Sequence, residues 1–208
     1  MSTPRGAGVV ARALRMLVAP ARTWDIIAAE PADARGLFPR YVAPLAVIPA
    51  VCGVAGPLKF GFNIANVSVV MSPLGLLLGA LAGYALTFLA LLAAGVLVDV
   101  ISGLFGGARD RGRALELVTY SATATWVAGF AELYPSLGLA VGILAWVYSL
   151  YALYLGLTPM LAVAGERRLT AFAVILVVIV GLWALKGSLM TAAASLGGPL
   201  WASYAAPR

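Results

Sequence analysis

The residues best able to do chemistry in this sequence are a few polar side chains set inside long apolar runs. Asp99 is the acidic residue that lies well inside such a run. A second polar set shares one helical face at positions i, i+3, i+4 and i+7 of the run that follows: Glu116, Thr119, Tyr120 and Thr123. A charge at the centre of a bilayer costs about 2.5 to 3.5 kcal/mol on insertion scales unless it is paired. We therefore treat these residues as candidate functional positions and expect their face to point into a helix bundle.

Asp99 has two interpretations. It forms either a proton or ion site, or a structural ion pair with one of the arginines that follow closely, Arg109, Arg111 or Arg113. Lys186 comes after a long uncharged run and should emerge at the opposite membrane surface from Asp99. There its side chain either extends to the lipid headgroups or lies near Glu132.

Enzymatic chemistry has little support in the residue types. Histidine is absent, and Cys52 is the only cysteine, so the commonest general base, a disulfide framework and a cysteine metal site are all missing. We predict no catalytic residues, no metal and no cofactor. The basic residues lie between apolar runs rather than in a basic and aromatic patch, which argues against nucleic acid and for a membrane surface.

The elements that must position these residues are membrane-spanning helices. Of the 208 residues, 62% are apolar and only 11% are charged. A bilayer core roughly 30 Å thick needs about 20 apolar residues per helix. The sequence predicts an all-α integral membrane protein with about five transmembrane helices, in the ranges 41–58, 74–105, 115–133, 137–163 and 169–190.

The membrane domain, 40–196, is preceded by an N-terminal segment, 1–39, and followed by a tail, 197–208. The N-terminal segment is predicted to lie in the membrane interface as an amphipathic helix. Its apolar side contains Val9, Val10, Ala13, Leu14 and Leu17, and its basic side contains Arg5, Arg12 and Arg15. Pro20 ends this helix, and Thr23 is the expected N-cap of a second one.

Orientation follows from the asymmetry of the basic residues, because short loops rich in Lys and Arg stay cytoplasmic. Three basic residues fall on one side of the predicted bundle: Lys59, Lys186 and Arg208. The other eleven of the fourteen fall opposite: Arg5, Arg12, Arg15, Arg22, Arg35, Arg40, Arg109, Arg111, Arg113, Arg167 and Arg168. The N-terminus is therefore predicted in the cytoplasm and the C-terminus outside. The composition, rich in Ala, Gly and Arg, suggests a bacterial inner membrane.

The second predicted span carries small residues at four-residue spacing: Gly75, Gly79, Gly83, Thr87, Gly95 and Gly103. Small residues allow helix backbones to approach closely in a membrane. The glycine face is expected to pack within the chain, and a homo-oligomer through it is the alternative.

A set of spaced residues resembles the bacterial Yip family, which is named for Ypt/Rab-interacting proteins: Pro20, Thr23, Trp24, Ile27, Glu30, Pro44, Tyr148, Tyr151, Gly156 and Pro159. The resemblance implies a cytoplasmic N-terminal segment followed by five spans. In eukaryotes the family implies membrane adaptors that contact small GTPases. Similar sequences usually carry a proline in the third span, where this chain has Ala124 and Thr125, so no proline supports a kink there.

Two functions remain open. The first is a non-enzymatic scaffold or adaptor that holds an unknown protein partner or shapes membrane lipid. The second is a transporter of a small solute, ion or lipid that uses the polar face of the third span with Asp99. A cavity between the second, third and fourth spans would favour transport, whereas a solid core packed on glycine would favour the scaffold.

Overall fold

The computed structural model describes residues 8–64, 67–70, 72–198 and 201–204. It is a helical bundle with a small three-stranded sheet at one end. The first helices are α1 (Val9–Val18), α2 (Pro20–Ala29), α3 (Ala34–Leu37), a π-helical turn (Phe38–Val42) and α4 (Ala43–Phe60). Then come β1 (Phe62–Ile64), β2 (Val67–Val70) and α5 (Pro73–Leu104). The remaining elements are α6 (Arg111–Ser121), α7 (Thr123–Ala128), a 3₁₀ turn (Gly129–Leu133), α8 (Pro135–Leu161), α9 (Gly165–Ser195) and β3 (Trp201–Tyr204).

Within the described residues, four helices are long and apolar enough to cross a membrane, as judged by length and composition: Phe38–Phe60, Pro73–Leu104, Pro135–Leu161 and Gly165–Ser195. Each corresponds to one of the five predicted apolar segments. The first contains Pro49 and Pro57 inside α4, where a missing backbone N–H is tolerated because neighbouring segments cover the helix.

The predicted third span, 115–133, is not one helix. The chain divides it into α6, α7 and the 3₁₀ turn, with a break at Ala122. Two hydroxyls compete with the helical ladder at this break: Thr123 Oγ1 donates to the carbonyl of Tyr120, and Thr125 Oγ1 donates to the carbonyl of Ala122. The interruption therefore arises without a proline, and the count of five spans stays a prediction.

The N-terminal segment packs onto the bundle, and its inward side differs from the prediction. Ala13 and Met16 are buried, whereas Val10, Leu14 and Val18 are exposed. The predicted Thr23 N-cap is wrong, because α2 begins at Pro20 and Thr23 lies inside it. Residues 1–7, with Arg5, lie outside the described residues.

The glycines of α5 contact other parts of the same chain. A Cβ added at Gly75 would lie 2.8 Å from the Ala194 carbonyl oxygen, and one at Gly83 would lie 2.8 Å from the Met190 side chain, both on α9. Gly95 faces Leu115 of α6, and Gly103 faces the Arg109 side chain. The glycine face is thus covered within the chain, and a homo-oligomer through it stays a prediction that this packing does not support.

The small sheet was not predicted. Strand β2 pairs with β1 as a hairpin between α4 and α5, and β3 adds to its other edge, all antiparallel. This sheet brings part of the predicted tail, 197–208, against the α4–α5 connection. The rest of that tail, 199–200 and 205–208, lies outside the described residues.

Candidate functional site

Two regions of the bundle contain polar groups in unusual settings. The first is at the end where α1 and α2 pack, and we call it the N-terminal clamp: Arg12, Trp24, Glu30, Arg113, Glu116 and Tyr148, with the residues that they bind. The second is a cavity that extends toward the end where the sheet lies. Only the second region leaves room for a ligand.

Trp24 anchors the clamp. Its side chain is 0% exposed, and Nε1 donates a hydrogen bond of 2.9 Å to the Ala152 carbonyl of α8. Gly156 lies one helical turn further along α8, and a Cβ added there would lie 2.7 Å from the indole. Tyr148 of the same helix donates to the carbonyls of Leu17 at 2.7 Å and Met16 at 3.1 Å, near the end of α1. Both N-terminal helices are therefore fixed to α8 by side chains whose polar atoms are satisfied.

Arg113 closes the end of α2. Its guanidinium donates to the Ile27 carbonyl at 2.8 Å, which also accepts from the Glu30 backbone N–H at 3.1 Å. It donates in addition to the Ala28 carbonyl at 3.1 Å, in the last turn of the helix, and to the Glu30 carbonyl. Glu116 is buried beside it, at 3.2 Å from Arg113 Nη1. The second Glu116 oxygen accepts from the backbone N–H of Asp33 at 2.9 Å. Glu116 is thus fully used in holding the N-terminal segment.

The rest of the predicted polar face also meets this segment. Tyr41 and Thr123 share a hydrogen bond of 2.7 Å. The Tyr120 ring packs edge-on against Tyr41, with centroids 4.7 Å apart, and lies 5.5 Å from the Arg12 guanidinium. Arg12 in turn pairs with Glu30 at 2.8 Å. Thr119 of α6 is also buried, and its hydroxyl has no hydrogen-bond partner among the described residues.

Asp99 lies near the same end of the bundle. It forms an ion pair with nearby arginines, which is one of the two interpretations that the sequence left open. It is 2% exposed, with Oδ2 at 3.3 Å from Arg109 Nη2 and 3.9 Å from Arg111 Nε. Both arginine side chains are mostly exposed. Asp99 Oδ1 has no partner in the described part of the chain. One carboxylate oxygen is therefore paired, with Arg109 of the connection after α5 and with Arg111 at the start of α6.

The cavity has a volume of about 660 Å³ and is lined by α4, α5, the broken third segment, α8 and α9. Its walls are mostly Gly, Ala, Leu and Trp. Pockets for small molecules usually fall between roughly 300 and 1,000 Å³ and combine apolar walls with a few polar groups. The cavity therefore has the size and the lining of a ligand site.

Two opposite charges line this cavity, Lys186 of α9 and Glu132 of the 3₁₀ turn. Lys186 Nζ donates to Thr87 Oγ1 at 2.8 Å. Lys186 is thus directed into the bundle rather than to the headgroups, and it does not contact Asp99. Lys186 and Glu132 form no ion pair within 4.0 Å, and Glu132 has no hydrogen-bond partner among the described residues. The prediction that the two lie near each other is met only in that they share one cavity.

Two hydroxyls of the cavity wall are also unpartnered. Ser121 Oγ and Ser149 Oγ are buried, line the cavity and have no hydrogen-bond partner among the described residues. An unmade hydrogen bond costs a buried polar group about 1–3 kcal/mol. These hydroxyls therefore favour a polar occupant, either water or a ligand.

Two tryptophans form part of the cavity wall on the side of α8 and α9. Trp183 lines the cavity and yet is 65% exposed on the outer surface of the bundle. Its ring is 6.4 Å, centroid to centroid, from that of Trp146, which also lines the cavity. One aromatic side chain of this wall therefore reaches both the cavity and the outer surface of the bundle.

The predicted site residues and the cavity are separate. Asp99, Glu116, Thr119, Tyr120 and Thr123 do not line the cavity, whose third-segment wall is the opposite face of α6 and α7. Sequence reasoning did not predict Ser121 or Ser149 as a site residue. It did single out Lys186 and Glu132, and an intramembrane charge is the signal that finds them.

The fold and its site define a multi-pass helical membrane protein with an internal cavity. A family model, the Yip1 domain, matches residues 14–186, and the chain belongs to this family. The match covers the N-terminal clamp except Arg12, and the cavity lining as far as Lys186. Comparisons with curated proteins and with solved structures gave no match.

Proposed function

We propose that this protein is a non-enzymatic membrane protein that holds a small amphipathic molecule in its intramembrane cavity, as a carrier or transporter. The observation that supports the proposal is the cavity itself, of about 660 Å³ between five helical segments, where a scaffold would be packed solid. The polar groups differ from those predicted for a transporter. Lys186, Glu132, Ser121 and Ser149 replace Asp99 and the polar face of the third span.

The test is to fill the cavity from its wall. Gly187 lines the cavity, and a Cβ added there meets no atom within 4 Å, so a large side chain can start from it without a clash. Gly181 lies on the same helix with equally open surroundings but outside the lining. Gly187→Trp and Gly181→Trp therefore form a matched pair.

Each variant is purified in mild detergent, and its co-purified small molecules are extracted and identified by mass spectrometry. We expect the wild type and Gly181→Trp to retain a defined molecule at near one per chain. Gly187→Trp should lose most of it. Equal retention by both variants would contradict a ligand in this cavity, as would a wild type that retains nothing.

A second candidate is the scaffold or adaptor, which the outer face of α1 favours. Val10, Leu14 and Val18 repeat at i, i+4 and i+8 and are all exposed, with Arg15 and Arg22 exposed nearby. Such a face fits a membrane surface or a partner protein. Proximity labelling in native membranes, comparing the wild type with Val10, Leu14 and Val18 all changed to Ser, tests it. A protein set lost only in the variant would support the adaptor, and identical sets would contradict it.

Orientation belongs to the same proposal. We place the N-terminal clamp in the cytoplasm of a bacterium and the sheet on the outer side of its inner membrane, because of the eleven-to-three asymmetry of basic residues. In a Cys52→Ala background, Gly165→Cys, at the start of α9 near Arg167, should resist an impermeant thiol reagent in intact cells. Ser203→Cys should react. The reverse labelling pattern would overturn the orientation.

A further inference from the structure

We infer that the cavity recognises a zwitterionic lipid headgroup, one with an ammonium group and a phosphate, and that phosphatidylethanolamine represents this class. This inference rests on the proposed function and names its ligand. The carrying observation is that Lys186 and Glu132 line one cavity with opposite charges, without pairing with each other.

Neither Lys186 nor Glu132 has an ion-pair partner among the described residues. Of the three N–H donors of the Lys186 ammonium, one is used by Thr87. The Glu132 carboxylate lies against Gly53 of α4, where an added Cβ would be 2.6 Å from Oε2, and no described side chain donates to it. A buried charge is stable only when it is paired or hydrogen-bonded. A ligand that brings one cation and one anion supplies both missing partners at once.

The charges select against simpler ligands. A purely anionic headgroup would satisfy Lys186 but would be repelled by Glu132, and a purely cationic one would meet the opposite problem. The unpartnered hydroxyls of Ser121 and Ser149 add donors that suit phosphate or ester oxygens.

A lipid fits better than a free zwitterion. The walls away from the charges are apolar, and Trp183 links the cavity to the outer surface of the bundle, where acyl chains lie. A free polar zwitterion would leave those apolar walls without contact. The ligand's charged group would thus sit between Lys186 and Glu132, while its chains extend past Trp146 and Trp183.

The experiment measures binding to the full chain, purified in detergent and stripped of lipid, by native mass spectrometry and by the shift in unfolding temperature. The probes are phosphatidylethanolamine, phosphatidylglycerol and water-soluble phosphoethanolamine. We expect the wild type to prefer phosphatidylethanolamine over phosphatidylglycerol by about tenfold, and over phosphoethanolamine by more. Glu132→Gln should abolish the preference between the two lipids, and Lys186→Gln should weaken both. Lys59→Gln, an exposed lysine outside the cavity, should change neither.

Each outcome decides between two explanations. Equal binding of the two lipids by the wild type would overturn the zwitterion while leaving a ligand in the cavity, and this comparison needs no variant that folds poorly. Phosphoethanolamine binding as tightly as the lipid would show that the ligand is a free zwitterion, against this inference. A preference that survives Glu132→Gln would show that Glu132 does not read the ammonium group. Failure of the proposed function is distinct, because no probe would then bind and Gly187→Trp would retain the same molecules as the wild type.

Discussion

Trp24 and Trp183 show how differently the two regions of this molecule are built. Trp24 is completely buried in the N-terminal clamp, hydrogen-bonded to Ala152 and enclosed against Gly156. Trp183 is 65% exposed and separates a cavity from the outer surface of the bundle. One indole holds two helices together, and the other covers space that the chain leaves open.

Their polar groups differ in the same way. In the clamp, Arg113 and Glu116 each have several partners, although the hydroxyl of Thr119 next to the clamp has none among the described residues. In the cavity, Ser121 and Ser149 have none among the described residues, and Lys186 has one. An unpartnered buried polar group lowers the stability of the fold. Such groups are therefore expected at positions that serve a function. This contrast fits the proposed function, in which the clamp stabilises the fold and the cavity binds a ligand.

The largest expected difference in the free energy of unfolding is between two tryptophan variants. Trp24→Ala should lower the free energy of unfolding by about 3–5 kcal/mol, the usual cost of deleting a buried aromatic side chain. Trp183→Ala should change it by less than about 1 kcal/mol, because that side chain is mostly exposed. Unfolding in detergent, followed by thermal shift, measures both.

A comparable loss of unfolding free energy in the two variants would contradict this difference, because the edge of the cavity would then contribute as much to stability as the clamp. Gly156→Leu offers an independent check. It should resemble Trp24→Ala, since the added side chain would enter the space of the indole.

The next effect concerns the end of α2. Arg113→Gln should cost about 2 kcal/mol, because it removes donors from several carbonyls and leaves Glu116 without its charged partner. Limited trypsin digestion should then cleave faster at Arg15 and Arg22. The control is Arg40→Gln, whose pair with Asp33 is exposed at 3.6 Å and should contribute almost nothing. Unchanged cleavage in Arg113→Gln would show that other contacts hold the segment.

A smaller effect is expected at Asp99. Asp99→Asn should lower stability in detergent by about 1 kcal/mol, because Arg109 and Arg111 are largely exposed and water screens them. If the pair is structural, Asp99→Asn and Arg109→Gln should lose less together than the sum of their separate losses. Additive losses in this double-mutant cycle would count against pairing and would return Asp99 to the candidates for a functional charge.

The sequence predicted most of the fold because hydrophobic length is a local property. Four of the predicted apolar segments are long helices in the structure. The division of the third segment was not predicted, since it depends on Thr123 and Thr125 bonding to nearby carbonyls without a proline. The packing of α1 on the bundle was not predicted either, because periodicity shows that a helix has two faces but not that Arg12 would turn inward to meet Glu30.

The candidate site was harder to predict for a physical reason. Gly156 and Trp24 stand out in the sequence as family residues, and the structure shows why they occur together, as a cleft and the side chain that fills it. A cavity, in contrast, is a place where side chains do not meet, and no residue pattern marks such an absence. Only the intramembrane charges Lys186 and Glu132 indicated the cavity. Which residues surround them depends on how the helices pack, and only the structure shows it.

The smallest expected effect on stability comes from removing one hydroxyl in each of the two regions. Thr123 has a buried hydroxyl that bonds to Tyr41 at 2.7 Å and to the Tyr120 carbonyl at 2.6 Å, and Thr123→Val should cost about 1 kcal/mol. Ser149→Ala removes a hydroxyl with no described partner, so in lipid-stripped protein it should change stability by less than about 0.5 kcal/mol, or raise it. When phosphatidylethanolamine is added, the same Ser149→Ala variant should gain less stability than the wild type, because the bound lipid would then have lost one donor. If Ser149→Ala instead costs as much as Thr123→Val in the absence of lipid, Ser149 already has a partner in the folded chain, and the cavity wall is as self-contained as the clamp.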